Sequence, residues 1–600
     1  MVEHVVDSWR PLAAVLISAV AIALIVASHR RPNVREAWSV LASVGKFAIV
    51  ASMLPGVLDG TEYRWSLGMV PGLDSEFVFG VEFALRADAL GMLFALLASF
   101  LWIFTAFYSA GYMRGLDEPN QTRFFASFAA SLSAAIGIAF AENLVTIFVF
   151  YELLSVATYP LVAHDETNEA RAAGRKYLAY TFFGGGFLVL AGTALVFVLT
   201  EPSTTTFGAT AADLAEADPA LARAAFGLLA AGFGVKAGLM PLHSWLPDAM
   251  VAPTPVSGLL HAVAVVKSGA FGVARVVLEV FEPDLVGDLG VGLALAAVAA
   301  FTLTAASIIA LRADRLKRRL AFSTVSQLSY IVLGLGLAGP AAVAGSGTKT
   351  VIIGGLLHIP AHAFMKLTLF FCAGFIHVET HTDYISEMDG IGKRMPLTMA
   401  AFAVAAAGMA GIPLVAGFVS KWFMLIGAVE ANQAIFAVVL LISGVLNIAY
   451  FWPIVYGAFF ESHDDADSKP LVEFPLGGRA SGGASAGEPE AVADGGAADD
   501  AHDDDAAATD EHQEGGHHDT ADHEHAGHAV HSDDQHEDHD HHGGPPPGGW
   551  ERAGWTGAEG SWLMLGPILA IVAGAVVLGV VPYQAVFLEL IEVIAGGGVG

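Results

Sequence analysis

The 600-residue chain is 55% hydrophobic and only 15% charged, with a mean hydropathy of +0.59, whereas soluble domains carry about 25% charged residues. That balance excludes a large soluble enzyme and predicts a polytopic membrane protein. The net charge of −30 is mostly local: residues 461–551 hold 25 Asp or Glu against Lys469 and Arg479, which leaves −23 in that segment.

The first apolar run, 11–28, follows Glu3 and Asp7 without a basic leader, so a membrane span rather than a cleaved signal is expected. Runs long enough to cross a bilayer, about 20 residues at 1.5 Å each, recur down the chain. They fall at 38–57, 88–110, 124–141, 143–163, 177–199, 222–246, 254–279, 289–311, 320–339, 350–376, 396–424, 432–460 and 562–582, about fourteen spans in all. Cys372, the single cysteine, lies inside the eleventh and is expected to be a packed, inert thiol.

Basic residues orient the spans. His29–Arg31 with Arg35, Arg114 with Arg123, Arg171 with Arg175 and Lys176, Arg312 to Arg319, and Lys393 with Arg394 fall in alternate loops. The intervening loops 59–82 and 201–218 are mostly acidic. The positive-inside rule puts the basic loops in the cytoplasm and both termini outside a prokaryotic cell membrane. The segment 461–560 then lies on the cytoplasmic side, between spans 13 and 14. Rich in Ala, Gly, Asp and His, it is expected to be disordered. Its twelve histidines between His502 and His542 suit weak divalent-metal binding; the alternative is a solvated acidic insert for a salty cytoplasm.

An ionisable residue within a span is a functional-site hypothesis, because it persists against a cost. "NLVTIFVFYELLSVATYPLV" places Glu152 in mid-span, and "FGVKAGLMPLHSWLPDAM" places Lys236 just before a helix break at Pro241. A glutamate and a lysine in two spans can pair, and each then stabilises the other's charge. His261 and Lys267 follow in the eighth span, six positions apart. In the eleventh, His358, His362 and Lys366 step by four and share one helix face. Two histidines at that spacing can also ligate a metal, but no carboxylate accompanies them. "MAGIPLVAGFVSKWF" repeats the seventh span's pattern, with a break at Pro413 and Lys421 beyond it. Interrupted spans at corresponding places in two halves suggest an internal repeat. Spans 4–8 and 9–13 are an odd number apart, which predicts two inverted five-helix repeats. Lys317, at the start of span 10, is either a cytoplasmic anchor or an outlying relay member.

The expected organisation is all-α: helices 1–3 over 1–123, a first repeat over 124–285, a second over 286–460, the insert at 461–560 and helix 14 within 561–600. No phosphate-binding loop, cysteine cluster or haem motif is present, so no cofactor is expected.

The stretches "FVFYELLSVATYPLV", "KAGLMPLHSWLPDAMVAPTPVSGLLHA", "RLAFSTVSQLSYIVLGLG", "HAFMKLTLFFCAGFI" and "AGIPLVAGFVSKWF" together resemble the antiporter-like subunits shared by respiratory complex I and the Mrp-type multisubunit Na⁺/H⁺ antiporters. The resemblance covers roughly residues 85–460. Within it, Lys267, Lys421 and the chain's end soon after span 14 are most similar to the D-type component of Mrp antiporters. The resemblance implies a proton-translocating subunit that works with other membrane subunits in the lipid bilayer and exchanges Na⁺ for H⁺. It implies transport rather than catalysis, and no nucleic-acid partner. Glu152 and Lys236 would gate a proton; His261, Lys267, His358, His362, Lys366 and Lys421 would form a hydrated polar axis. The alternative within the family is a redox-driven complex, an NADH dehydrogenase or a membrane hydrogenase. A divalent-metal transporter would need carboxylates among the buried histidines, where the chain has mostly lysines.

Overall fold

A computed structural model describes residues 4–73, 76–78, 80–461, 544–546, 549–551, 559–582 and 586–597. Nearly all of the acidic insert, with its twelve histidines, lies outside the described residues, and so does the expectation of disorder there.

Among the described residues, twelve helices are long and apolar enough to cross a membrane, and each coincides with an expected span. In chain order they begin with α1 (Arg10–Ala27), α2 (Pro32–Leu58), α3 (Ala89–Gly115), α4 (Gln121–Phe140), α5 (Leu144–Val162), α6 (Asn168–Leu199) and α7 (Pro219–Ala237). The shorter α8 (Val265–Arg275) intervenes, and α9 (Val291–Arg312), α10 (Leu316–Ala344) and α11 (Thr348–Thr380) follow it. The last two of the twelve are α14 (Ala434–Phe460) and α15 (Trp562–Val580). A final helix, α16 (Val586–Gly597), lies beyond every span expected from the sequence.

The two remaining spans exist but are interrupted. The eighth is a helical turn, Thr254–Gly258, a wide π-type turn, Leu259–Val263, then α8 and a second wide segment, Val276–Val280. The twelfth is split into α12 (Pro396–Ala410) and α13 (Ala416–Glu430). Wide turns and breaks of this kind concentrate at functional sites.

Both predicted breaks have the same local cause. α7 stops at Ala237 because Gly238 turns left-handed at φ 71°, and α12 stops at Ala410 because Gly411 does so at φ 90°; only glycine enters that region freely. Pro241 and Pro413 follow, and neither can donate to a continuing helix. The span expected over 222–246 is therefore shorter than its hydropathy suggests.

The core is built around α10 and α11, buried along the whole of their apolar windows. α11 packs against α10, α12, α13 and α15, and α10 also against α9. The outer helices leave apolar side chains exposed, among them Val20, Leu41, Phe301 and Leu441, as a lipid-facing surface requires. Not all of the described residues are helical: a short antiparallel pair joins Glu76–Val78 to Val81–Glu82, and a three-stranded sheet lies beside it in sequence. Strand β1 (His4–Asp7) pairs in parallel with β2 (Thr61–Ser66), which pairs antiparallel with β3 (Ala84–Ala87). Strands this short in connecting loops carry too few alternating residues to announce themselves.

Candidate functional site: a buried polar line

The first group lies where α5, α6 and α7 meet. Lys236 is fully buried, and its Nζ donates to the Tyr151 carbonyl at 2.5 Å while lying 3.4 Å from the centre of that tyrosine's ring. Tyr151 is itself fixed by donating its hydroxyl to the Gly232 carbonyl at 2.8 Å. Glu152 is the next residue, yet it forms no ion pair with Lys236. Both Glu152 carboxylate oxygens are buried and have no hydrogen-bonding partner in the protein. The expected pair is thus a pair of neighbours without a direct contact, Lys236 being bonded to the Tyr151 carbonyl instead. The Glu152 carboxylate rests against α6, where Ala179–Gly186 forms a wide π-type segment. A methyl group on Gly186 would come within 2.1 Å of Glu152 Oε1, so glycine there makes room for the acid.

The second group is continuous. Lys267 Nζ lies 2.8 Å from His362 Nδ1. One turn along α11, the rings of His362 and His358 are 6.2 Å apart. His358 contacts Ser420 Oγ at 2.8 Å and Gln327 Oε1 at 2.9 Å, and its ring stacks on Tyr330 at 5.3 Å. Lys421 Nζ lies 4.7 Å from the Tyr330 ring centre and donates to the Met409 carbonyl at 2.5 Å. That carbonyl is at the broken end of α12, where no following helical turn claims it. Lys267, His362, His358, Tyr330 and Lys421 therefore form one line of contacts across four helices.

Two expected members stand beside this line rather than in it. Lys366 donates to the Leu320 carbonyl at 3.1 Å and to Ser323 Oγ. His261, in the wide turn before α8, faces the Phe370 ring at 4.8 Å, and neither of its nitrogens has a partner in the protein. Lys317 is remote from the line, donating to the Ala252 carbonyl at 2.9 Å. Cys372 is buried against the Thr398 carbonyl, as a packed thiol should be. Among the described residues, none of Lys236, Lys267, Lys366 and Lys421 has a carboxylate in contact.

The two groups meet through backbone. A methyl group at Gly269 of α8 would lie 2.3 Å from the Ala237 nitrogen and 2.7 Å from the Lys236 carbonyl carbon. Backbone cannot swing aside as a side chain can, so Gly269→Ala is expected to cost about 1–3 kcal/mol by overpacking. The check is a lower melting temperature for the detergent-solubilised protein; an unchanged one would show that α7 and α8 separate freely.

Several participants escape a reading of the sequence. Tyr151, Gln327, Tyr330 and Ser420 hold or join the lysines and histidines, but tyrosines and serines in spans are too common to stand out. Lys46 is a plainer omission: it is a fully buried lysine in α2, bonded to the Leu132 carbonyl at 3.0 Å and lying over Trp102 at 5.2 Å. Arg275 and Glu279 are likewise ionisable groups inside the eighth span that the sequence reading passes over. Arg275 is fully buried and forks onto Asp88 at 2.5 and 2.9 Å and onto Glu279 at 2.6 Å.

Comparison with known proteins agrees with this architecture. A family described as NADH:quinone oxidoreductase/Mrp antiporter, TM, matches residues 141–447. A second, described as NADH-ubiquinone oxidoreductase (complex I), chain 5 N-terminus, matches residues 77–125. The N-type subunit of the NADH-quinone oxidoreductase of Desulforudis audaxviator is 33% identical over 67% of this chain and 77% of its own length. The A-type component of the Na⁺/H⁺ antiporter of Alkalihalophilus pseudofirmus is 33% identical over 59% of this chain, which spans only 44% of that longer relative. Among solved structures, the Mrp complex from Dietzia sp. DQ12-45-1b matches with a TM-score of 0.71 over 98% of this chain and 97% of the matched one. At 21% identity that is a likeness of fold. These relatives are of the N and A types, and the narrower likeness to the D type is not among them. The chain belongs to the family of antiporter-like membrane subunits common to NADH:quinone oxidoreductases and Mrp antiporters.

Proposed function

We propose that this chain is a proton-translocating subunit of a multisubunit Na⁺/H⁺ antiporter, a transporter component rather than a catalytic one. The observation that carries the reading is the contact line from Lys267 through His362, His358 and Tyr330 to Lys421. Amines and imidazoles are groups that give and take protons near neutral pH once a protein environment tunes them. Joined by water, the line passes a proton laterally, and Glu152, Tyr151 and Lys236 form its gate. The helix breaks at Gly238 and Gly411 supply unclaimed backbone groups that keep such a line hydrated.

In this reading the basic loops face the cytoplasm, both termini face outside, and the spans of 124–285 and 286–460 act as two related halves. The other membrane proteins of an Mrp-type complex are the partners, and Na⁺ is the counter-ion exchanged. The kinship with an N-type oxidoreductase subunit favours a second reading, in which the same module serves a redox-driven complex. Purifying the chain with its partners from native membranes separates the two. Companions that are all membrane subunits, with Na⁺-dependent proton movement in proteoliposomes, support the antiporter. Subunits bearing iron–sulfur centres would replace it with the redox complex.

The acidic insert stands outside this mechanism. Deleting residues 480–545 is expected to leave Na⁺-driven proton movement in membrane vesicles close to that of the full chain. A transport-dead deletion present at normal abundance would bring the insert into the mechanism.

A further inference from the structure

Away from the polar line, three groups with metal-ligating atoms converge where the α3–α4 loop meets the α5–α6 loop. Glu118 belongs to the first loop, His164 and Asp165 to the second. One ligand atom from each lies within 4.8 Å of the others. His164 is 1% exposed, and neither of its ring nitrogens makes a hydrogen bond. Its Nε2 points at Glu118 Oε2 from 3.9 Å, too far for a hydrogen bond. The Pro119 carbonyl approaches the ring without reaching hydrogen-bond geometry.

The surroundings suit a cation. Neither Glu118 nor Asp165 is within ion-pair distance of a lysine or arginine. Of the basic residues nearby, Lys317 donates to the Ala252 carbonyl at 2.9 Å and Lys176 pairs with Asp248, while Arg315 and Arg318 line the same cavity as the two carboxylates. Both carboxylates line a cavity of about 560 Å³, which gives an ion a way in. The loops are already joined: Arg123 of α4 pairs with Glu166 and donates to the His164 carbonyl at 2.7 Å.

We propose that Glu118, His164 and Asp165 form a binding site for a divalent transition-metal ion of the Zn²⁺ or Mn²⁺ class. One imidazole with two carboxylates is a donor set for such ions, not for K⁺ or Na⁺. Bonds of about 2.0–2.2 Å require the three atoms to close by about 1 Å, which carboxylates on two loops achieve by side-chain rotation. With Nε2 on the metal, Nδ1–H turns to the Pro119 carbonyl, the backbone support that metal-bound histidines usually have. The ion ties the ends of α3 and α4 to the end of α5, the helix that carries Tyr151 and Glu152.

The test counts metal on the full-length protein. After dialysis against buffered Zn²⁺, mass spectrometry is expected to find one more ion per chain in the unaltered protein than in Glu118→Gln or His164→Ala. The histidine-rich insert is the same in all three and cancels. Replacing its twelve histidines by alanine is expected to preserve that one-ion difference. Glu118→Gln changes no shape and keeps the test valid if His164→Ala does not fold. Equal counts in the unaltered protein and Glu118→Gln, in both backgrounds, overturn the site.

Discussion

Lys236→Ala and Glu152→Ala are each expected to reduce Na⁺-driven proton movement to background. The assay is everted membrane vesicles from an antiporter-deficient host that also expresses the partner subunits. The reason lies in magnitudes. Taking an ammonium out of water costs several kcal/mol even after relaxation. The Tyr151 ring under Lys236 returns about 2 kcal/mol when desolvated, and the one carbonyl bond to a charged donor about 1.5–3 kcal/mol. These contacts leave the ammonium near balance rather than secure, and in the proposed relay the neighbouring Glu152 charge is what tips that balance. Lys236→Arg separates this role from simple packing. A guanidinium keeps the charge and the ring contact but never releases its proton, so it too is expected to be inactive. Tyr151→Phe keeps both the ring and the carbonyl and is expected to retain most transport. Exchange at the normal rate in Lys236→Arg would sink the relay.

How much of this is legible in the sequence follows from the kind of signal each feature leaves. Span positions are readable because burial in lipid demands continuous apolar runs, and the two breaks because Gly and Pro act locally. The eight relay candidates stand out because charge in an apolar run is rare. Their connectivity is not readable. His362 and His358 are linked by helical spacing, but Lys267 meets His362, and Tyr330 bridges His358 to Lys421, through packing between distant helices. The Glu152–Lys236 pair shows the limit from the other side. Charge complementarity suggests direct contact, whereas the lysine bonds to the Tyr151 carbonyl. Lys46 and Arg275 carry as strong a signal as Lys236, and lack only a motif to draw the eye.

Arg275→Ala is expected to destabilise the fold more than any other substitution proposed for this protein. Arg275 is fully buried and binds Asp88 with both arms, Glu279 with one and the Ala139 carbonyl at 3.2 Å. Asp88 in turn caps α3 by accepting from the Gly91 amide at 2.7 Å. The arginine therefore joins the start of α3, the end of α4 and the end of the eighth span. Removing it leaves Asp88 and Glu279 with only the longer ion pairs to Arg86, at 3.4 and 3.8 Å, a loss of about 3–5 kcal/mol for breaking a buried pair. Burial alone pushes the Asp88 carboxyl up, but Arg275, Arg86 and the Gly91 amide outweigh it and hold it below the ordinary carboxylate range. A group lowered in the folded state stabilises fully above its unfolded value, near 4. That contribution falls away as the pH drops below it. Melting followed in detergent at pH 7 is expected to show a large drop for Arg275→Ala. Arg275→Lys, which keeps the charge but loses the fork, is expected to fall between the two. A melting temperature unchanged in Arg275→Ala would mean that water, rather than the arginine, balances the acids at this junction.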